Sequence, residues 1–282
     1  MLASLCLFTC ALLPAQAESP PAWLLVPHLS RGQELVYNGS FKEEVVGQAV
    51  QFSRNYGLES RVLVLETQAA GARLSLLTTL KQREPGPARP EAPNSAEGSE
   101  ISSVRLELAR LDLQGHLTSE TGRSLAVALE GPATVETGAF VPFPNNRVGG
   151  DQPWEVNEEG RPPWTWRAAG TEPVNGLPCL KLVGVQQSPD WDRPRADRTA
   201  WRRQDTVWVS ARLGIASRVE RTIEQREPAR REATHRSVAT LELQSSLVYP
   251  APLLEDCRQE ILRAQSFAEA AEPLAREPGQ GG

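Results

Sequence analysis

From residue 34 onward the chain is dominated by short runs in which apolar and polar residues alternate. Leu35, Tyr37 and Phe41 fall on one side of an extended Glu34–Phe41, the period-two signature of a half-buried strand. The run RVLVLET, within Ser60–Thr67, is apolar at four consecutive positions and predicts a strand buried on both faces. Leu74, Leu76, Thr78 and Leu80 alternate with Ser75, Thr79 and Lys81, and Gly71 between the two runs predicts a hairpin. Val104, Leu106 and Leu108 alternate again. Their phase slips at Ala109–Arg110 before Leu111 and Leu113. A one-residue slip exchanges faces, so a bulge is expected there.

The second half is more regular. Asn175-Gly176 is a tight-hairpin dipeptide and leads into a strand at Cys179–Val185. Val207, Val209 and Ala211 alternate with Trp208 and Ser210; Gly214 turns the chain; Ile215, Val219 and Ile223 share a face. After a turn at Glu227-Pro228-Ala229, a long returning strand places Ala239, Leu241, Leu243, Leu247 and Tyr249 on one side. Strands do not alternate with helices, so an antiparallel sheet is predicted. The period then becomes 3.6: Leu254, Cys257, Ile261, Ala264, Ala268, Ala271 and Ala275 form one stripe of a final helix. Pro252 suits its first turn, and Glu255 and Asp256 suit the positive end of its dipole. The expected fold is mainly β: a curved antiparallel sheet or incomplete β-barrel with a C-terminal α-helix.

Composition sets the boundaries. Residues 1–17 read as a signal peptide: Leu2–Leu13 is uncharged and apolar, and Ala15-Gln16-Ala17 offers a small-residue cleavage site. The charged n-region is missing, which points to a weak signal or a start further upstream. The apolar run is too short for a bilayer anchor, which takes about 20 residues. Residues 18–30 follow as an extended leader, 31–249 as the β domain, 250–276 as the helix and 277–282 as a frayed tail. Within the β domain, 83–103 is rich in Pro, Gly, Ser and Glu and predicts a disordered insertion. Residues 131–153 form a long loop with Phe140 and Phe143, either a lid over a pocket or a loop pinned under a sheet edge.

The expected location is exported, periplasmic or extracellular. Cys6 and Cys10 would leave with the signal, and Cys179 and Cys257 would remain as one disulfide or two separate thiols. A bridge closing about 80 residues would stabilise by about 4 kcal/mol in the chain-entropy model.

The chemistry is sparse. A net charge of −5 argues against a nucleic-acid partner. No G-x-S-x-G or H-E-x-x-H occurs, and the three histidines, His28, His116 and His235, give no metal pattern. Asp190, Asp192 and Asp197 lack the turn glycine of a calcium loop and are interleaved with Arg193, Arg195 and Arg198. No catalytic residue, metal or cofactor is assigned. The segment 186–206 concentrates Trp and Arg, the residue types that dominate binding hot spots. Trp191, Trp201, Arg193 and Arg195, with Trp164 and Trp166 nearby, are candidate partner-binding residues, beside Phe140 and Phe143. The alternative is a loop held by its own Asp–Arg pairs with its Trp rings packed on the sheet.

Three segments carry a family resemblance. Val148-Gly149-Gly150-Asp151-Gln152-Pro153-Trp154 resembles a V-G-D-x-W motif interrupted by Gly150. The stretch from Gly170 to Leu182 resembles G-x-E-x-V-x-G-x-x-C-x-K-L. Val207-Trp208-Val209 with Gly214, Ile215 and Arg218 resembles a V-W-x…G-x-x-x-R hairpin. In this order they are similar to exported bacterial proteins of the LolA/LolB-like, lipoprotein carrier-like half-barrel group. The resemblance covers roughly 154–249 and implies an incomplete barrel with a helix against its concave side, where the carriers hold acyl chains. The leading expectation is therefore a non-catalytic exported binding protein of the cell envelope holding an apolar or lipid-like ligand. The alternatives are a scaffold or interaction protein that binds a protein or glycan through 186–206, and a carboxylate-dependent hydrolase.

Overall fold

Each hairpin of the chain adds one strand to a single sheet. The strands are β1 (Gln33–Val45), β2 (Phe52–Gln68), β3 (Gly71–Gln82), β4 (Ile101–Asp112), β5 (Leu117–Ser119) and β6 (Trp154–Val156). They continue as β7 (Trp164–Val174), β8 (Leu177–Gln187), β9 (Ala200–Ser210), β10 (Ala216–Arg226) and β11 (His235–Val248), before helix α1 (Ala251–Ala275). This computed structural model describes residues 23–46, 52–82, 101–120, 139–144, 148, 152–157 and 161–275. The expected signal peptide, the start of the leader, nearly all of the 83–103 insertion, much of the 131–153 loop and the 277–282 tail lie outside the described residues. No described helix is long and apolar enough to cross a membrane.

The sheet order is β5-β4-β3-β2-β1-β11-β10-β9-β8-β7-β6, antiparallel throughout and open at β5 and β6. The first and last long strands, β1 and β11, meet in the middle and join the two halves. The expected mainly-β fold with one C-terminal helix is the fold found. Residues 139–143 show that the sheet is curved. Phe143 N donates to Gln114 O (2.7 Å), while Ala139 O accepts from Ala216 N (3.0 Å). The same five residues thus bridge, across the concave side, two places that lie five strands apart in the sheet order.

The main core covers the inner face. Leu35, Tyr37 and Phe41 of β1, Val62 and Val64 of β2, Leu74 and Leu76 of β3, Leu182 of β8, Val207 and Val209 of β9, and Ala239 and Leu241 of β11 are buried together. Much of what fills the curve is not strand. Ala139, Phe140, Val141, Phe143, Val148 and Leu25 are members of the same core. Trp23 and Val148 exchange backbone hydrogen bonds of 2.6 and 2.7 Å, and His28 N donates to Leu213 O at 2.8 Å. Gly214 (φ +64°) must be glycine for this arrangement, because a Cβ there would stand 1.7 Å from Val26 O.

Helix α1 lies on the opposite face from that core, not on the concave side that the resemblance implied. Leu254, with the partly buried Cys257 and Ile261, packs on Leu63, Leu65 and Leu108, which point away from Val62, Val64 and Ala109 by strand parity. This explains β4. Its register with β3 runs unbroken from Gly71↔Asp112 to Leu80↔Ser103, so there is no bulge at Ala109–Arg110. Both phases are apolar because Leu108 faces the helix while Ala109 and Leu111 face the main core.

A bulge occurs instead in β11, where Tyr37 pairs with Leu243 but Val36 with Ser245. The extra residue, Gln244, turns Leu247 and Tyr249 to the outer side. Leu247 is 53% exposed, and the Tyr249 hydroxyl donates to Glu34 (2.8 Å) beside the helix. The helix begins at Ala251, which places Glu255 and Asp256 beyond the first turn, where the dipole acts most. Ala264, the next residue of the stripe after Ile261, is exposed.

Candidate functional site

Two features of the structure have the chemistry of a site: a buried polar cluster on the inner face, and an open cleft at one end of the sheet.

The buried cluster grows from the β7–β8 hairpin. Asn175 (φ 50°) and Gly176 (φ 76°) turn the chain as the sequence predicts, and Trp166 pairs with Gly184 across the hairpin. Gly184 leaves room for indoles: a Cβ there would lie 2.7 Å from Trp164 Nε1 and 2.8 Å from the Trp166 ring. Trp166 stacks on Trp154 (centroids 6.4 Å apart, planes 13° apart) and leans on Trp164 at 4.5 Å. The Arg203 guanidinium then covers Trp164, 3.7 Å from the ring centroid.

Arg203 and Arg221 share one carboxylate. Arg203 Nη2 donates to Asp205 Oδ2 at 2.6 Å, and Arg221 Nε and Nη2 donate to its two oxygens at 3.0 Å each. All three residues are at most 2% exposed. Burial pushes the Asp205 carboxyl up, but the two guanidiniums outweigh it and hold the group below the usual carboxylate range. Gln186 caps the cluster by donating to Pro162 O at 2.9 Å.

Arg203, Asp205 and Arg221 are not among the candidate residues named from the sequence, although their signal is legible there. Arg203 and Asp205 share strand parity with Val207 and Val209; Arg221 shares it with Val219 and Ile223. Parity alone sends all three to the core face.

The singled-out aromatic residues are mostly buried. Trp164, Trp166, Phe140 and Phe143 belong to the inner core. Trp191 is on the outer side, 9% exposed, with Arg202 and Arg226 guanidiniums 4.8 and 4.0 Å from its ring centroid. Trp201 is partly buried in β9; Arg193 and Arg195 are exposed. The connection between β8 and β9 is pinned at both ends: Ser188 N donates to Trp201 O (2.9 Å), Trp201 N to Ser188 Oγ (3.0 Å) and Ala229 N to Arg195 O (2.9 Å). Arg195–Asp197 and Arg198–Asp190 pairs brace it from within.

Cys179 and Cys257 are free thiols in different places. Cys179 is buried beside Val174 and Trp208 on β7–β9, and Cys257 is on the helix over β2–β4. The Trp208 indole donates to Glu172 (2.8 Å), whose other oxygen accepts from Lys181 (2.7 Å). Those two bonds, Lys181 first, hold the Glu172 carboxyl below its usual range.

The open cleft, of about 590 Å³, lies where the β2–β3 turn meets β4 and β5. It is lined by charged and polar side chains, Arg73, Arg110, Asp112, His116, Thr118 and Glu120 among them. Arg73 bridges Glu66 and Glu120, and the His116 ring bonds Asp112 through Nδ1 (2.9 Å). Among the described residues no three His, Cys, Asp or Glu side chains are arranged to hold a metal ion.

No family model matches the chain, and no curated protein matches it. Among solved structures, a DUF1329 family protein from Desulfovibrio piger is similar over 79% of this chain and 88% of its own, at 8% identity and a TM-score of 0.23. A likeness of that degree carries no inference about ligand or activity, which therefore rest on this chain's own residues.

Proposed function

We propose that this protein is a non-catalytic binding protein of the cell envelope that acts through its outer surface, with a protein or glycan partner at the Trp/Arg-rich connection 186–206. The observation that carries this reading is that, among the described residues, segments outside the strands occupy the inner face. An acyl carrier needs an apolar hollow, whereas here Phe140, Phe143, Val148 and Leu25 occupy the curve as part of the core. The connection itself suits recognition. It is braced by backbone bonds and by Trp191 between two guanidiniums, so little backbone freedom is lost when Arg193 and Arg195 meet a partner. A hydrolase is less well supported. In the cleft, Glu66 and Glu120 are both committed to Arg73, whereas glycoside hydrolysis needs two carboxyl groups facing each other across the scissile bond.

The test is native mass spectrometry of the chain from Glu18, exported and purified without detergent, followed by organic extraction. A bare chain of the expected mass that takes up no added lipid is the expected result. A lipid retained near one-to-one would overturn the surface reading in favour of the carrier-like one, with 139–143 and the leader displaced from the inner face.

A further inference from the structure

We propose that the cleft at the β2–β3 turn is a binding site for an anionic amphiphile, with an oxyanion head on Arg110 and a short alkyl group in the adjoining recess. The charge pattern leads to the head. Arg73 and Arg110 are directly opposed on β3 and β4, where like charges repel. Arg73 is compensated by Glu66 and Glu120, and Glu66 also meets Arg258 (3.4 Å). Asp112 is committed too. One oxygen accepts from the backbone N–H groups of Gln114 (2.9 Å) and His116 (2.8 Å), and the other meets the His116 ring.

Each carboxylate in the cleft thus has its partner, while the exposed Arg110 guanidinium pairs with no described carboxylate. Its planar fork matches the two oxygens of a phosphate or carboxylate. Thr118 stands directly across from Arg110 on β5.

The tail is argued from the neighbouring space. A recess of about 90 Å³ lined by Pro27, Leu29 and Leu113 shares Gly71 and Asp112 with the cleft. It admits a short alkyl group, not a long acyl chain. Leu113 is 43% exposed at its mouth, a large apolar side chain that such a group would cover. This site is separate from the 186–206 surface and does not depend on it.

Calorimetry of the full chain with hexyl phosphate, hexanoate, inorganic phosphate, acetate and hexanol at one ionic strength tests the proposal. At least one of the two alkyl anions should bind, and which one does identifies the head. The matching bare anion should bind more weakly, by about fourfold for each methylene the recess covers, and hexanol should not bind. Arg110→Gln should weaken the alkyl anion about tenfold or more with the thermal midpoint unchanged or raised, since no ion pair is lost and the like-charge contact with Arg73 is relieved. Leu113→Ser should weaken only the alkylated probe. Co-sedimentation with phosphatidylcholine vesicles containing phosphatidate separates a membrane head group from a dissolved anion as the source. Failure of both alkyl anions to bind, or equal binding by Arg110→Gln, overturns the site. A lipid seen by native mass spectrometry that persists in Arg110→Gln would bear on the inner face and not on this cleft.

Discussion

Asp205→Asn is expected to lower folding stability by about 3–5 kcal/mol at neutral pH, the usual result of removing one partner from a buried ionic cluster. The substitution keeps shape and volume but strips the counter-charge shared by Arg203 and Arg221, both of which are almost fully buried. The pH dependence follows from the sign of the shift. The folded-state carboxyl lies below its unfolded value. Its stabilisation is therefore fully present above the unfolded value of about 3.9 and is lost as pH falls through the folded one.

Urea denaturation of the natural chain and the variant should accordingly differ most near neutrality and converge in acid, below about pH 4. A difference under about 1 kcal/mol at pH 7 would mean that the cluster is not held as described. Replacing all three residues together by Met, Leu and Met should be close to neutral or stabilising, because the desolvation cost disappears with the charges.

Trp166→Ala is the second large effect, at about 3–5 kcal/mol. The ring is 1% exposed and fills the space that Gly184 leaves open between Trp154 and Trp164. Its removal opens a cavity in the β6–β8 wall and takes away a side of the indole on which Arg203 rests. Denaturant titration gives the cost, and the near-UV circular dichroism of the coupled indoles should fall with it. If instead the variant kept its stability and lost a binding activity, Trp166 would be a recognition residue and the packing account would fail.

Much of this fold was legible as pattern. Leu35, Tyr37 and Phe41, the doubly buried 62–65, the Asn175-Gly176 turn and the final helix all lie where alternation and turn chemistry predict, because a strand's parity is a local property. Two of the expectations that fail share one cause. The pattern predicts a bulge to bring Leu108 and Leu111 to one face, and puts Leu247 in phase with Leu243, because it assumes a single buried face. Period two records only that a side chain is covered, not what covers it. At Leu108 the cover is helix α1, which comes from the far end of the chain. At Gln244 the register is set by pairing with β1, which lies far away in sequence.

The site was legible only in part. Trp164 and Trp166 were singled out for their chemistry, yet their burial follows from Gly184, on the neighbouring strand. Arg203 and Asp205 had the parity of core residues, but a charged pair gives no hydrophobic signal; it becomes a core element only when Arg221 arrives from β10 to complete it. By itself, the order of residues determined the β class, the hairpins and the single helix, since these depend on neighbours within a few positions. Tertiary structure alone decided which face is inside, that 139–143 and Leu25 of the leader join the core of the inner face, and that Arg73 and Arg110 meet in one cleft. Those outcomes depend on long-range contacts between segments whose spacing in the sequence carries no record of their meeting.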